Sequence, residues 1–195
     1  MKLFGLYETK DIEVKDLSLK DYINLRETLN VKSHGRNNEG FDKMDMNVVE
    51  KLINYVSVPG HRGKKHKIMT GHSSGKYTRN ANLVLETLKI IEEKKKENPI
   101  QILVKAIENA APRDEITVIE YGGARYPQAV DVSPMRRLAL SLRHIVHGAY
   151  DKAFNKKVKM YAALADEIIM ASDNNGESFA IKKKNEAEKQ ADSAR

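Results

Sequence analysis

The sequence predicts a mainly α-helical fold, a bundle of about six helices with a protruding β-hairpin between the third and fourth helices. Apolar residues recur at helical spacing in separate segments from about residue 45 to the C-terminus. Between residues 115 and 132 the spacing becomes strand-like on both sides of Gly122-Gly123, a typical hairpin turn. We therefore expect an N-terminal arm, 1–44, with some strand character, and a helical domain, 45–195, that carries the hairpin.

The first two predicted helices flank a polar segment. The first begins near Asp45, a candidate N-cap, and ends before Pro59; the second begins near Arg79. Between them, residues 60–80 are rich in Gly, His, Ser and Lys and contain almost no apolar residues. Such a loop cannot build a core of its own, so we expect its order to come from what it binds. Residues 33–38 are a further predicted loop.

The third predicted helix has clear start and stop signals. Asn98 is the expected N-cap, Pro99 occupies the first turn, and Gln101 stands three residues after the cap, where it would complete a capping box. Pro112 ends the helix because proline cannot continue the backbone hydrogen bonds.

The fourth predicted helix begins at Ser133-Pro134 and divides into two faces. The residues expected to be buried are Met135, Leu138, Ala139, Leu142, Ile145, Val146 and Ala149. The residues expected on the opposite, exposed face are Arg136, Arg137, Arg143, His144 and His147. A solvated helix normally mixes both signs of charge, so an arginine face favours a phosphate-bearing partner. Replacing Arg136 and Arg137 by Ala should then weaken binding of that partner more than folding.

Two further helices complete the predicted bundle. The fifth begins near Lys157, buries Val158, and ends at Asn174-Asn175-Gly176. The sixth runs from about Ser178 to Ala191, with apolar residues at its start and a polar second half.

Positive charge is segregated along the chain. Residues 51–85 contain seven cations and no acid. The net charge of this segment therefore equals the net charge of the whole chain, +7. Residues 132–165 contain seven cations and the single acid Asp151. Segregated positive charge is typical of proteins that bind a polyanion.

Composition and motifs argue against several classes. The chain has no cysteine, and no apolar run reaches the ~18 residues of a membrane span, so we expect a soluble, cytoplasmic protein. The segment 71–78 lacks the Walker spacing, and Tyr77 follows Lys76 where a Ser or Thr would hold magnesium. The histidines lack acids at ligand spacing, and no nucleophile motif is present. We expect no enzyme activity, metal site or cofactor.

The class of partner follows from the shape of the cationic regions. No short turn joins two helices in the manner of a DNA-reading helix-turn-helix. A basic loop and a projecting ribbon instead favour folded RNA, which is recognised by shape and phosphate position. A different kind of nucleic-acid-binding protein and a protein-interaction module remain as alternatives.

Several motifs occur in a fixed order over residues 45–195. They are Asn98-Pro99-Ile100, Ala106-Ile107-Glu108-Asn109, Tyr121-Gly122-Gly123-Ala124, Val130-Asp131-Val132, Pro134, Arg136-Arg137, Ala165-Asp166-Glu167-Ile168 and Ala180-Ile181-Lys182-Lys183-Lys184. In these motifs the chain resembles the universal small-subunit ribosomal protein seven family. The insertion at 60–78 and the long N-terminal arm resemble the archaeal branch.

The resemblance implies a six-helix fold and a structural role in the small ribosomal subunit. A member of this family would be a primary binder of the 3′ domain of small-subunit rRNA and would nucleate assembly of the subunit head. Its hairpin would lie near exit-site tRNA and the mRNA exit path, in contact with neighbouring head and platform proteins. Bacterial members carry cations on the first strand of the hairpin, whereas this chain has Glu115, Ile119, Glu120 and Tyr121.

The candidate site residues fall into two groups. The predicted rRNA-binding cations are Arg62, Lys64, Lys65, Lys67, Lys76, Arg79, Arg136, Arg137, Arg143, Lys156, Lys157, Lys159, Lys182, Lys183 and Lys184. The residues predicted for the tRNA and mRNA exit region are Gly122, Gly123, Arg125 and Tyr126.

Overall fold

The structure is a computed structural model that describes residues 2–3, 5–26, 46–58, 61–62, 67–68 and 75–195. For 61–62 and 67–68 it describes the backbone alone. Several predictions fall elsewhere: the loop at 33–38, the side chains of Arg62 and Lys67, and the residues Lys64 and Lys65 all lie outside the described part of the chain.

Within the described ranges the chain contains seven helices and two antiparallel strand pairs. The helices are α1 (Leu17–Lys20), α2 (Val48–Ser57), α3 (Tyr77–Lys95), α4 (Pro99–Ala110), α5 (Pro134–Ala153), α6 (Met160–Ser172) and α7 (Phe179–Asp192). The strands are β1 (His61–Arg62), β2 (Lys67–Ile68), β3 (Asp114–Tyr121) and β4 (Ala124–Asp131), paired β1 with β2 and β3 with β4. The mainly α fold with one inserted hairpin is confirmed. The short α1 is additional, so α4 and α5 are the third and fourth predicted helices.

Two short strands lie between α2 and α3, within the segment that was predicted to be a loop. The short strands β1 and β2 pair within it, and α3 begins at Tyr77 rather than near Arg79. The N-cap of α2 is Asn47, whose side-chain oxygen accepts a hydrogen bond from the Val49 N–H at 2.9 Å. Asp45, the predicted cap, lies outside the described residues.

The start of α4 agrees with prediction at the cap and differs at Gln101. The Asn98 side chain accepts a hydrogen bond from the Ile100 N–H at 3.1 Å, and Pro99 is the first helical residue. Gln101 does not close a capping box. Its amide group donates to the Glu13 carbonyl at 3.0 Å and accepts from the Glu13 N–H at 2.9 Å, because the N-terminal arm runs alongside α4.

The described part of the arm, 2–26, packs on the helical body. It contains α1 and two isolated bridges, Leu3 with Tyr7 and Asn24 with Asn47, rather than a strand. Leu3, Leu19 and Ile23 are buried in the same hydrophobic cluster as the helices. The Glu108 carboxylate on α4 accepts hydrogen bonds from the N–H groups of residues 15–16 at 2.6 and 2.9 Å. The division of the chain at residue 44 stays a prediction.

α4 is the centre of the core. Eight of its twelve residues are buried, among them Ile100, Leu103 and Ile107, which are fully enclosed. It packs against α3, α5 and α6, while α5 also packs against α6 and α7. Each fully buried Leu or Ile side chain contributes roughly 1.5–3 kcal/mol of transfer free energy, so α4 makes a large contribution to hydrophobic stabilisation.

Two predicted core residues are exposed. Met135 lies in the first turn of α5, where Arg137 faces the body instead; the two positions are about 200° apart around the helix. Val158 lies in the linker before α6, which begins at Met160 rather than near Lys157. Ser133 occupies the N-cap position of α5, but its side chain makes no capping hydrogen bond.

A fully buried carboxylate joins α5, α6 and α7. Glu167 on α6 accepts hydrogen bonds from the Ser178 hydroxyl at 2.7 Å and from the Ala180 N–H at 3.2 Å, at the start of α7. Its other oxygen accepts from the Lys152 ammonium on α5 at 2.5 Å. A negative charge at a helix N-terminus is favourable, and the lysine supplies the charge partner that a buried carboxylate needs. Glu167 therefore fixes how three helices meet.

Replacing Gly148 by Ala should disrupt this junction. A Cβ atom at position 148 would lie 2.7 Å from the Phe179 Cβ and 2.8 Å from the Glu167 Cδ, so the buried carboxylate would have to move. We expect Gly148→Ala to lower the free energy of unfolding by about 1–3 kcal/mol, measured by urea denaturation.

The matched control is Gly176→Ala, because a Cβ at position 176 meets nothing within 4 Å. Its effect should stay within about 0.5 kcal/mol. Equal stability of the two variants would contradict the close packing at Gly148.

Candidate nucleic-acid interface

The hairpin of β3 and β4 turns on two glycines in the left-handed region. Gly122 has φ +59° and Gly123 has φ +82°, as a two-residue type I′ turn requires. The strands pair residue by residue from Asp114 with Asp131 to Tyr121 with Ala124. The predicted hairpin and its turn are confirmed.

The base of the hairpin is anchored to the body at three points. Arg136 on α5 forms an ion pair with Glu115 at 2.7 Å. The Arg113 N–H donates to a Glu188 carboxylate oxygen on α7 at 3.0 Å. Arg195 forms an ion pair with Asp114 at 2.8 Å. Among the described residues, the contacts that tie the hairpin to α5, α7 and the C-terminus therefore lie at its base.

The outer end of the hairpin is exposed and carries no net charge. Tyr121 is 82% exposed, and Val118, Ile119 and Tyr126 are also exposed. Within residues 117–128 the two charged side chains, Glu120 and Arg125, are cross-strand partners with an ion pair of 3.4 Å. The structure thus brings the four predicted exit-region residues together at this end. Their surroundings are apolar and aromatic rather than cationic.

Arg137 is not on the exposed face, as the sequence had predicted. The residue is only 7% exposed. Its guanidinium donates to the Asp16 carboxylate at 2.7 Å, to the Pro112 carbonyl at 3.2 Å and to the Ser18 hydroxyl. The N-terminal arm covers this side of α5, so the charge of Arg137 joins the arm, the end of α4 and the start of α5.

The two predicted surface histidines of α5 are also enclosed. His147 is buried, and His144 is partly buried beside the ring of Phe179. Burial, together with the nearby charges of His147 and Arg143, lowers the pKa of His144 to about 4. His144 is therefore neutral near pH 7 and adds no positive charge. The prediction of an exposed histidine face is wrong because α7 packs on this side of α5.

The other predicted cations with described side chains lie at the surface in four groups. Arg136 and Arg143 are exposed on α5, and Lys76 and Arg79 are exposed at the start of α3. The linker between α5 and α6 exposes Lys156, Lys157 and Lys159. On α7, Lys182 is exposed while Lys183 and Lys184 are half-buried. Lys183 also forms an ion pair with Glu186 and lies 5.9 Å from the centre of the Phe179 ring.

An aromatic side chain in the α5–α6 linker was absent from the prediction. Phe154 is 58% exposed, directly before Asn155 and two lysines. The sequence signal was an aromatic residue next to a lysine cluster, although such a residue is more often part of a core.

The described ranges show neither a metal site nor a membrane span. They contain no group of three His, Cys, Asp or Glu side chains that could hold a metal ion. No helix among these residues is both long and apolar enough to cross a membrane.

Comparison with known proteins identifies the family. The family model described as ribosomal protein S7p/S5e matches residues 20–195. The chain belongs to this family. Membership confirms the resemblance inferred from the motifs, and it places the chain among structural, non-enzymatic proteins.

Three archaeal relatives match almost the whole chain. The small ribosomal subunit protein uS7 of Nanoarchaeum equitans is 48% identical, covering 100% of this chain and 99% of the relative. The protein of the same name from Methanococcus maripaludis is 44% identical, with 100% and 99% covered. That from Picrophilus torridus is 42% identical, with 99% and 98% covered. The archaeal-type prediction is confirmed.

Arg136 and Arg137 should differ sharply in their effect on folding. Arg137→Ala leaves Asp16 without its charge partner in a mostly buried site, so we expect the free energy of unfolding to fall by about 2–4 kcal/mol. Arg136→Ala removes a largely exposed ion pair and should cost less than about 1 kcal/mol. Urea denaturation of both variants gives the comparison. Equal losses would contradict the buried position of Arg137.

The Asp16–Arg137 contact should also make stability depend on pH. Partial burial alone would raise the pKa of Asp16, but hydrogen bonds from Ser18 and Arg137 lower it below 3.8. The contact therefore stabilises the fold above pH 3.8, and this contribution is lost as the pH falls through the lower folded-state pKa. We expect Asp16→Asn to be less stable than the wild type at neutral pH, with the difference shrinking as the pH falls below 3.8. A difference that does not change with pH would contradict this role.

Proposed function

We propose that the chain is a structural constituent of the small ribosomal subunit. In this role it binds the 3′ domain of small-subunit rRNA in the cytoplasm and nucleates assembly of the subunit head. The observation that carries the proposal is the full-length similarity to archaeal proteins named small ribosomal subunit protein uS7. The distribution of exposed cations supports it, because a protein that neutralises many phosphates needs cations that folding leaves free.

The proposed rRNA surface consists of the cations that lie outside the core. Its described members are Lys76, Arg79, Arg136, Arg143, Lys156, Lys157, Lys159, Lys182, Lys183 and Lys184. Arg62, Lys64, Lys65 and Lys67 are proposed members in the segment between α2 and α3, on the basis of sequence. Arg137 acts indirectly in this scheme, because its guanidinium holds the arm and the start of α5 in place.

The hairpin has a different proposed role. Its outer end, with Gly122, Gly123, Arg125 and Tyr126, lies near exit-site tRNA and the mRNA exit path, where neighbouring head and platform proteins contact it. Two features support this proposal: in the part of the chain that the structure describes, the hairpin is anchored at its base, and its outer end is uncharged overall. Exposed tyrosines such as Tyr121 suit protein surfaces and bases better than they suit phosphates.

Location in the cell gives the broadest test of the proposal. A lysate is sedimented through a sucrose gradient, and this chain is located with an antibody. We expect it in the small-subunit fraction and in whole ribosomes, and nuclease treatment should release it. If the chain stays at the top of the gradient, or keeps its partners after nuclease, the ribosomal role is wrong and a non-ribosomal binding module is favoured.

Binding to a 3′-domain rRNA fragment should depend steeply on salt. Each phosphate contact contributes about 0.9 to the slope of log affinity against log salt concentration. The double variant Lys182→Gln/Lys184→Gln should weaken binding and reduce the slope by about 1–2, as filter binding over a range of potassium chloride concentrations would show.

Lys94→Gln is the matched control, since Lys94 is an exposed lysine that already forms an ion pair with Asp166 at 2.5 Å. Its slope should equal that of the wild type. A flat salt response of the wild type would contradict the electrostatic mechanism.

A further inference from the structure

The linker between α5 and α6 presents an aromatic ring among free lysines. Phe154 and Val158 are exposed, at 58% and 46%, although both are apolar. Lys156, Lys157 and Lys159 stand between and beside them. Single exposed apolar residues are ordinary, but a ring within a cluster of lysines is typical of surfaces that bind single-stranded nucleic acid.

The ring of Phe154 is held in place from the protein side. It stacks on Tyr150 of α5, with ring centres 5.5 Å apart and planes inclined by 23°. Phe154 is the C-cap of α5, and its N–H donates to the Tyr150 carbonyl at 2.8 Å. Asn155 follows in the left-handed region, with φ +53°, and turns the chain back. One face of the ring is thus supported while the rest remains open.

The linker that follows the ring is rich in positive charge. Residues 152–165 contain four lysines and no acid. Lys152 forms an ion pair with the buried Glu167. Lys159 lies 5.7 Å from the centre of the Tyr161 ring, and within the described ranges neither Lys156 nor Lys157 forms an ion pair. The charges of Lys156 and Lys157 therefore remain available to an anion.

We propose that the open face of Phe154 is a stacking site for an unpaired RNA base, with Lys156 and Lys157 binding the phosphates on either side of that nucleotide. The inference rests on the proposed rRNA-binding function and adds a base-contacting position to it. Every base has a π-face, so this contact tolerates any sequence but requires a nucleotide that is not paired. A paired region offers phosphates alone and cannot use the ring.

The absence of tryptophan from the chain allows a direct test. Phe154→Trp places a single indole at the site, in the full-length protein. The probes are a single-stranded uridine oligomer of about ten nucleotides, an abasic oligomer of the same length with the same phosphates, and the corresponding RNA duplex. We expect the uridine oligomer to quench the indole fluorescence and to bind more tightly than the abasic oligomer and the duplex.

Two further variants distinguish the effect of the aromatic ring from the effect of side-chain size. Phe154→Ala and Phe154→Leu should each weaken binding of the uridine oligomer by about 5- to 150-fold, the range for loss of one base–aromatic stack. Their binding of the abasic oligomer should stay unchanged. Val158→Ala, a change at another exposed apolar residue of the same linker, should bind both oligomers as the wild type does. Thermal unfolding of each variant verifies that the fold is kept.

The lysines should behave in the opposite way. Lys156→Gln/Lys157→Gln should weaken binding of the uridine and abasic oligomers by the same factor, because phosphate contacts alone are lost. Comparison of the Phe154 variants with the lysine variant therefore distinguishes base stacking from phosphate binding in this linker.

Three outcomes would overturn the stacking site. They are equal affinity of the wild type for uridine and abasic oligomers, unchanged binding by Phe154→Ala and Phe154→Leu, and quenching of the indole by a ribosomal protein fraction but not by RNA. If the wild type still binds the 3′-domain rRNA fragment in those cases, the proposed function stands and this site alone is rejected. If the wild type fails to bind that fragment, both are rejected.

Discussion

The buried Glu167 carboxylate is the interaction on which the placement of the outer surfaces depends. A buried charge is tolerated only when its oxygens are fully hydrogen-bonded and its charge is paired. Glu167 meets this condition by accepting from Lys152 on α5 and from Ser178 and the Ala180 N–H at the start of α7. The same contacts fix the end of α5, from which the linker lysines project, and the start of α7, which carries its own lysines. The contacts of Glu167 in the core therefore determine where the lysines of the linker and of α7 lie at the surface.

A second buried charge acts at the other end of α5. Arg137 joins the arm through Asp16 and the end of α4 through the Pro112 carbonyl. Its neighbour Arg136 faces outward and anchors the base of the hairpin through Glu115. The basic residues of α5 are therefore divided between two tasks, since Arg137 and Lys152 hold the fold together while Arg143 remains exposed. This division explains how one helix can stabilise a core and still contribute to a cationic surface.

Local signals were enough to predict much of this architecture. The cap at Asn98 and the Gly122-Gly123 turn lie within a few residues of the structure that they determine, and both were predicted correctly. The errors have a common cause, which is contact with segments distant in sequence. Arg137 is buried by Asp16, 121 residues away, and Gln101 bonds to Glu13, 88 residues away. A helical wheel identifies one apolar face of α5, whereas in the structure this helix is covered by the arm, α6 and α7. For the candidate site, the exposed lysines could be predicted and the supporting stack beneath Phe154 could not.

The central claim is that some cations form ion pairs and hydrogen bonds within the fold, whereas a defined set remains free to bind RNA. Lysine acylation of the whole protein, with and without a bound 3′-domain rRNA fragment, tests this most directly when each site is quantified by mass spectrometry. Lys156, Lys157 and Lys182 should react readily in the free protein and become protected in the complex. Lys94, which is paired with Asp166, and Lys2, which is paired with Glu8, should react equally in both states. Unchanged reactivity of the linker and α7 lysines on RNA binding would contradict the account.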